Sequence, residues 1–223
     1  DNKKNKATWF APIYSNGLKT NRDAWCWNFS GQKVSDNIER SIQFYNSEVD
    51  RIADSSQSHS ATDILTAVDT DPKHFSWDRQ QRQDVVRGKK YSFSRERVFS
   101  GYYRPFQQGF CYFGRSLNNC VYQLPQLFPA QKSDNLVICI PAFKTEVPLI
   151  SRWLPDLHLN GDSQCFPLYY YEPKKSIAPQ LPGIVTDAAY ERKDAITDFI
   201  HDECKALYGL NVTKEDIFYY VYG

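Results

Sequence analysis

Methionine is missing from all 223 residues, the first included, so the chain reads as a fragment of a longer polypeptide. Glycine is sparse, with 10 residues beside 12 prolines, which excludes collagen-like and low-complexity classes. No apolar run approaches the roughly 18 residues that a membrane-crossing helix requires, and no charged-then-apolar leader opens the chain. No CxxC pair occurs, and Cys26, Cys111, Cys120, Cys139, Cys165 and Cys204 have no metal-ligand spacing with the four histidines. Zinc and disulfide frameworks are thereby set aside, and buried reduced thiols in a cytoplasmic protein are expected. At this size folding hides roughly 70% of the unfolded chain's surface, so a core forms without staples.

Catalytic signatures are absent as well: there is no GxSxG, HExxH, GxxxxGK[ST] or GxGxxG, and no Asp-Pro-Pro-Tyr signature of an amino-methyltransferase. The nearest approach to a nucleophile and base is Cys165 with His158, beside Asp156 and Asp162. His158 sits between Leu157 and Leu159, a setting that suits a strand end better than a catalytic base. No catalytic residue is therefore expected in this segment.

Excess charge is also lacking, since the net value is only +1, but the average conceals an asymmetry. Residues 73–115 hold ten Lys or Arg against three acids, a balance of +7 that leaves −6 for the remainder. Within it, 77–108 interleaves Arg and Lys with aromatics and Gln. Guanidinium and ammonium groups neutralise phosphates, Arg bridges O6 and N7 of guanine, and Gln bridges N6 and N7 of adenine. Lys89 and Lys90 follow Gly88 as a turn presenting two charges, and a strand over 91–99 would place Arg95 and Arg97 on one face. Charge alone leaves a plain solvated surface, a single-strand or RNA binder, and a protein-docking module open.

The order of elements is α+β: a central mixed or antiparallel sheet with helices at both ends of the chain. Residues 1–54 read as an aromatic-rich arm followed by a helix through Ile38, Ile42, Tyr45, Val49 and Ile52, with Ser35 or Asp36 as its cap. The polar interval 54–62 separates this part from 63–223. Strands are expected at 91–103, 110–113, 119–123, 135–140 and 164–172. A final helix through Ile196, Phe199, Ile200, Cys204 and Leu207 closes at Gly209, and Thr213 with Asp216 opens another.

Six blocks, in order, carry a family resemblance: GLKTNRDAWCWNF (17–29), FYNSEVDR (44–51), SGYYRPF (100–106), LNNCVYQLPQLFP (117–129), LPDLHLNGDSQCFPLYYYE (154–172), and DAITDFIHDECKALYG with VTKEDIFYYVYG (194–223). Together they resemble the C-terminal target recognition domain of type ISP restriction-modification enzymes. The resemblance implies a double-stranded DNA partner and a parent chain holding a nuclease, an ATP-driven helicase-like motor and an adenine methyltransferase upstream. It implies S-adenosylmethionine, ATP and Mg for that parent and none of them for this segment. On this view 1–54 docks to the upstream methyltransferase domain and 63–223 recognises DNA. Arg79, Arg82, Arg87, Lys89 and Lys90 are then expected on phosphates. Arg95, Arg97, Arg104, Gln107, Gln108 and Lys144 are the candidates for base edges, with Arg104 ambiguous between reader and structural cation.

Overall fold

The computed structural model describes residues 5–55, 58–142, 147–174 and 189–223. In chain order its elements are β1 (Ser15–Asn16), α1 (Asp23–Cys26), β2 (Trp27–Asn28), α2 (Gly31–Ala53), α3 (Arg79–Val86), β3 (Val98–Arg104), β4 (Gln107–Tyr112), α4 (Leu124–Leu127), β5 (Val137–Ile140), β6 (Leu149–Ser151), β7 (Leu154–Pro155), β8 (Gln164–Pro167), β9 (Tyr169–Pro173), β10 (Tyr190–Asp194), α5 (Asp198–Tyr208) and α6 (Lys214–Tyr222). Short 3-10 turns lie at Lys6–Thr8, Ile64–Thr66 and Arg95–Arg97. The chain is α+β, as expected.

It divides into two compact units: the first is Asp1–Leu18, Ser100–Gln108 and Val121–Gly223, the second Lys19–Phe99 and Gly109–Cys120. No unit boundary falls at 54–62, because α2 and α3 belong together in the second unit. The N-terminal aromatic segment does not stand apart as an arm. Leu18 and Cys26 are fully buried, Trp27 nearly so, and β1 pairs with β8.

In the first unit β1, β8, β5 and β6 form an antiparallel sheet in that order, and β9 pairs with β10. Ile138, Leu168, Ile196, Ile217 and Phe218 make its core, with Phe10, Ile200 and Cys204 packed around them. The C-terminal helices follow their sequence signals. Thr197 Oγ1 accepts from Ile200 N to start α5, Gly209 ends it at φ +111°, and Thr213 with Asp216 forms the capping box of α6. β10 escaped sequence reading because YERKD carries no apolar alternation. β3 runs parallel to β7 through Gly101 and Leu154.

β3 and β4 are joined by a two-residue turn, Pro105–Phe106, with Phe106 at φ +63° and 90% exposed. That sign belongs to the second central residue of a type II turn, a place usually given to glycine.

The second unit is organised by α2. Ser30 caps it, and Val34, Ile38, Ile42, Tyr45 and Val49 form its buried stripe. The cap thus lies five residues before the one expected at Ser35. Tyr45 stacks on Tyr91 at 4.1 Å, and Asn46 bonds both Tyr91 N and Tyr91 O at 2.9 Å. These contacts draw Tyr91 inward and prevent the strand expected over 91–99, so Arg95 and Arg97 lie on a 3-10 turn instead of alternating along a sheet. The strand expected at 119–123 is likewise reduced to one bridge, in which Lys19 and Cys120 exchange two backbone bonds of 3.0 Å.

Arg22 is buried in this unit and bonds Ser76 O at 2.7 Å, Leu117 O at 3.2 Å and Gln81 Oε1 at 2.9 Å, while pairing with Asp78 at 3.2 Å. Replacing it strands all of these partners. Arg22→Met is expected to destabilise the fold by about 3–5 kcal/mol in denaturant unfolding. Phe106→Gly is expected to do the opposite, raising stability by about 0.5–1 kcal/mol, because it removes a left-handed side chain that packs on little.

Candidate nucleic-acid interface

α3 is a polar helix held by its inner face. The Asp78 N–H donates to Gln81 Oε1 at 3.1 Å in a capping box, and Arg22 grips both of these side chains. Gln81, Asp84 and Val85 are buried. At 100° per residue the opposite face carries Arg79, Gln83 and Val86, with Arg82 on one flank and Gln80 and Arg87 on the other. All six are exposed or half-buried. An open-sided cleft of about 400 Å³ lies beside the first turns, lined by Asp78, Arg79, Gln80, Gln83 and Asn119 among others.

Asp84 ties this helix to the segment that follows. It accepts from Gln80 Nε2 at 3.0 Å, Tyr91 Oη at 2.8 Å and Lys89 Nζ at 3.2 Å. Burial by itself would raise its carboxyl, but these three donors outweigh burial and hold it below the ordinary aspartate value of 3.8. Gly88, at φ +66°, makes the turn that brings Lys89 back.

The expected cations have separate fates. Arg79 and Arg82 lie on α3 and Arg87 is its C-cap, with Lys89 and Lys90 following after Gly88. Lys89 is paired with Asp84, and Lys90 with Asp50 at 2.7 Å. Arg97 lies against Gly114, where an added Cβ would come within 2.8 Å of its Nη1. Arg104, Gln107 and Gln108 belong to the first unit. Arg104 pairs with the buried Asp156 at 2.6 Å and its guanidinium covers the Tyr103 ring at 3.9 Å, which identifies the structural side of its ambiguity. Lys144 lies outside the described residues.

Sequence reading overlooked Gln80, Gln83, Asn119 and the anchor Arg22. The signal was present in WDRQQRQDVVRG: Asp78 with Gln81 three residues on, then Gly88, is the punctuation of a short helix. Only one apolar residue faces inward, so hydrophobic periodicity gave no hint.

Cys165 is fully buried opposite Cys139, with the sulfurs 3.8 Å apart. That contact and burial hold its thiol well above the ordinary value, the reverse of what a thiolate nucleophile requires. His158 meets Asp162 at 2.8 Å. All six cysteines are free thiols. Among the described residues no cluster of three or more His, Cys, Asp or Glu is placed to hold a metal, and no helix is long and apolar enough to cross a membrane.

α3 is thus a scaffolded helix that turns arginine and amide groups outward. The chain belongs to the type ISP C-terminal specificity domain family, which it matches over residues 9–223. Three solved structures are similar. A nuclease-deletion mutant of the Type ISP restriction-modification enzyme LlaGI in complex with a DNA substrate mimic shares 31% identity over 93% of this chain, with a TM-score of 0.75. The ATP-dependent Type ISP enzyme LlaBIII bound to DNA shares 31% over 100%, with a TM-score of 0.78. A DrdV–DNA complex shares 26% over 98%, with a TM-score of 0.74. The chain spans 18%, 13% and 20% of those three chains. No curated protein matches it.

Because the folded-state pKa of Asp84 is depressed, the unfolded chain binds the extra proton. The stability contributed by Asp84 is present above pH 3.8 and lost as the pH falls through its folded value. Asp84→Asn is expected to lower stability at neutral pH and to flatten the decline below about pH 4, measured by urea unfolding across pH.

Proposed function

We propose that this chain binds double-stranded DNA and selects its sequence on behalf of a longer restriction-modification enzyme. The carrying observation is the α3 face, whose arginines and glutamine are the side chains suited to phosphates and base edges. Family membership and the likeness to DNA-bound relatives support the reading. In this proposal the nuclease, the ATP-driven motor with its Mg, and the S-adenosylmethionine-dependent adenine methyltransferase belong to other parts of the parent polypeptide. The target adenine would be flipped into the methyltransferase, and this segment would supply position and choice. Action inside the cell, where such an enzyme meets DNA, follows from the same proposal.

A second reading has an observation of its own. Leu207, Tyr208, Leu210 and Tyr220, on or beside α5 and α6, are 68–85% exposed. Apolar residues of this size left in the open suit a docking contact with a preceding part of the same polypeptide. The docking role that the sequence suggested for residues 1–54 is thus proposed instead for the C-terminal helices.

One exchange separates the two readings. Residues 9–223 of the full-length parent are replaced by the corresponding segment of a relative with a different target, and duplex binding is measured against competitor DNA. The target preference is expected to follow the transplanted segment, with affinity falling as salt rises. Retention of the recipient's original preference would leave docking as the segment's role.

A further inference from the structure

We propose that α3 is the recognition helix: its outer face enters the major groove of duplex DNA, where Arg79 and Gln83 address base edges, Val86 meets a thymine methyl, and Arg82 and Arg87 hold the flanking phosphates. The inference rests on the DNA-selection reading above and adds the element and the residues that choose.

The first support is availability. The side chains of Arg79, Arg82, Gln83 and Arg87 make no hydrogen bond or ion pair among the described residues. By contrast Lys89, Lys90 and Arg104 are each engaged with a carboxylate. Three unpaired guanidinium groups on one short helix and its C-cap suit a polyanion.

The second is chemistry and reach. Arg satisfies guanine through two parallel bonds, Gln does the same for adenine, and a small apolar side chain suits the methyl of thymine. Val86 is 37% exposed on the same stripe as Arg79 and Gln83, where a soluble helix would ordinarily place a polar residue. Eight residues rise about 12 Å, which spans three to four base steps, and the major groove admits an α-helix.

The third is rigidity. Base reading demands that side chains be held within fractions of an ångström, and α3 is fastened on its inner side by Arg22 to Gln81 and by Asp84 to Tyr91. The cleft bordered by Gln80, Gln83 and Asn119 leaves open space on one flank of the helix, so a groove wall can approach without displacing protein.

The test uses the full-length parent polypeptide and a randomised duplex library, from which the wild type first selects its target. Gln83→Ala is expected to flatten the preference at one base pair by about 5- to 150-fold while the other positions stand. Gln83→Glu is expected to exchange adenine for cytosine at that same position, a gain that misfolding cannot imitate. Arg79→Ala should flatten a guanine position. A wild type that selects no sequence would overturn the reading beneath this inference. A wild type with a clear target, left unchanged at every position by Gln83→Ala, Gln83→Glu and Arg79→Ala alike, would overturn the inference alone.

Discussion

The second unit depends on one buried cation. Arg22, 4% exposed, spends its guanidinium on carbonyls at Ser76 and Leu117, on the Gln81 amide and on the Asp78 carboxylate. A charge taken out of water is tolerable only when its donors are occupied, and here the partners lie on two stretches of chain, 76–81 and Leu117. The same group that satisfies the desolvated arginine therefore fixes the first turn of α3 to the loops around it. A helix with so little apolar surface could not hold its place by burial, and Arg22 supplies what hydrophobic packing does not.

That construction separates two kinds of positive charge that look alike in the sequence. Some cations complete the fold: Arg22 on Asp78, Arg104 on Asp156, and Lys89 on a buried Asp84 that three donors keep ionised. Others, on the outer face of α3, have no such engagement. A net count of +7 over 73–115 cannot tell them apart, because the carboxylates that neutralise Lys90 and Arg104 lie far off in sequence, at Asp50 and Asp156.

Much of the fold was nevertheless legible. The caps and apolar stripes of α2, α5 and α6 are local signals, and local signals survive folding. The strands at 98–104 and 137–140 announced themselves through β-branched and aromatic runs. The segment 91–97 failed because its alternation was real but was overruled by a stacking partner 46 positions earlier, Tyr45. α3 failed for the opposite reason: its stabilising contacts are polar and long-range, so no periodic hydrophobicity recorded them. Six blocks in order pointed to the family, yet they did not include WDRQQRQDVVRG, the stretch that forms the outward-facing helix.

The bridge between Lys19 and Cys120 closes the second unit's span of chain like a clasp. The polypeptide enters and leaves the second unit at these two paired residues, while Pro105–Phe106 belongs to the first. The span 19–120 thus begins and ends at paired residues, yet it is not self-contained, because Ser100–Gln108 within it belongs to the first unit through the β3–β7 pairing. A cut at this joint would therefore carry away a strand that the rest of the chain uses, so the two units have to vary together.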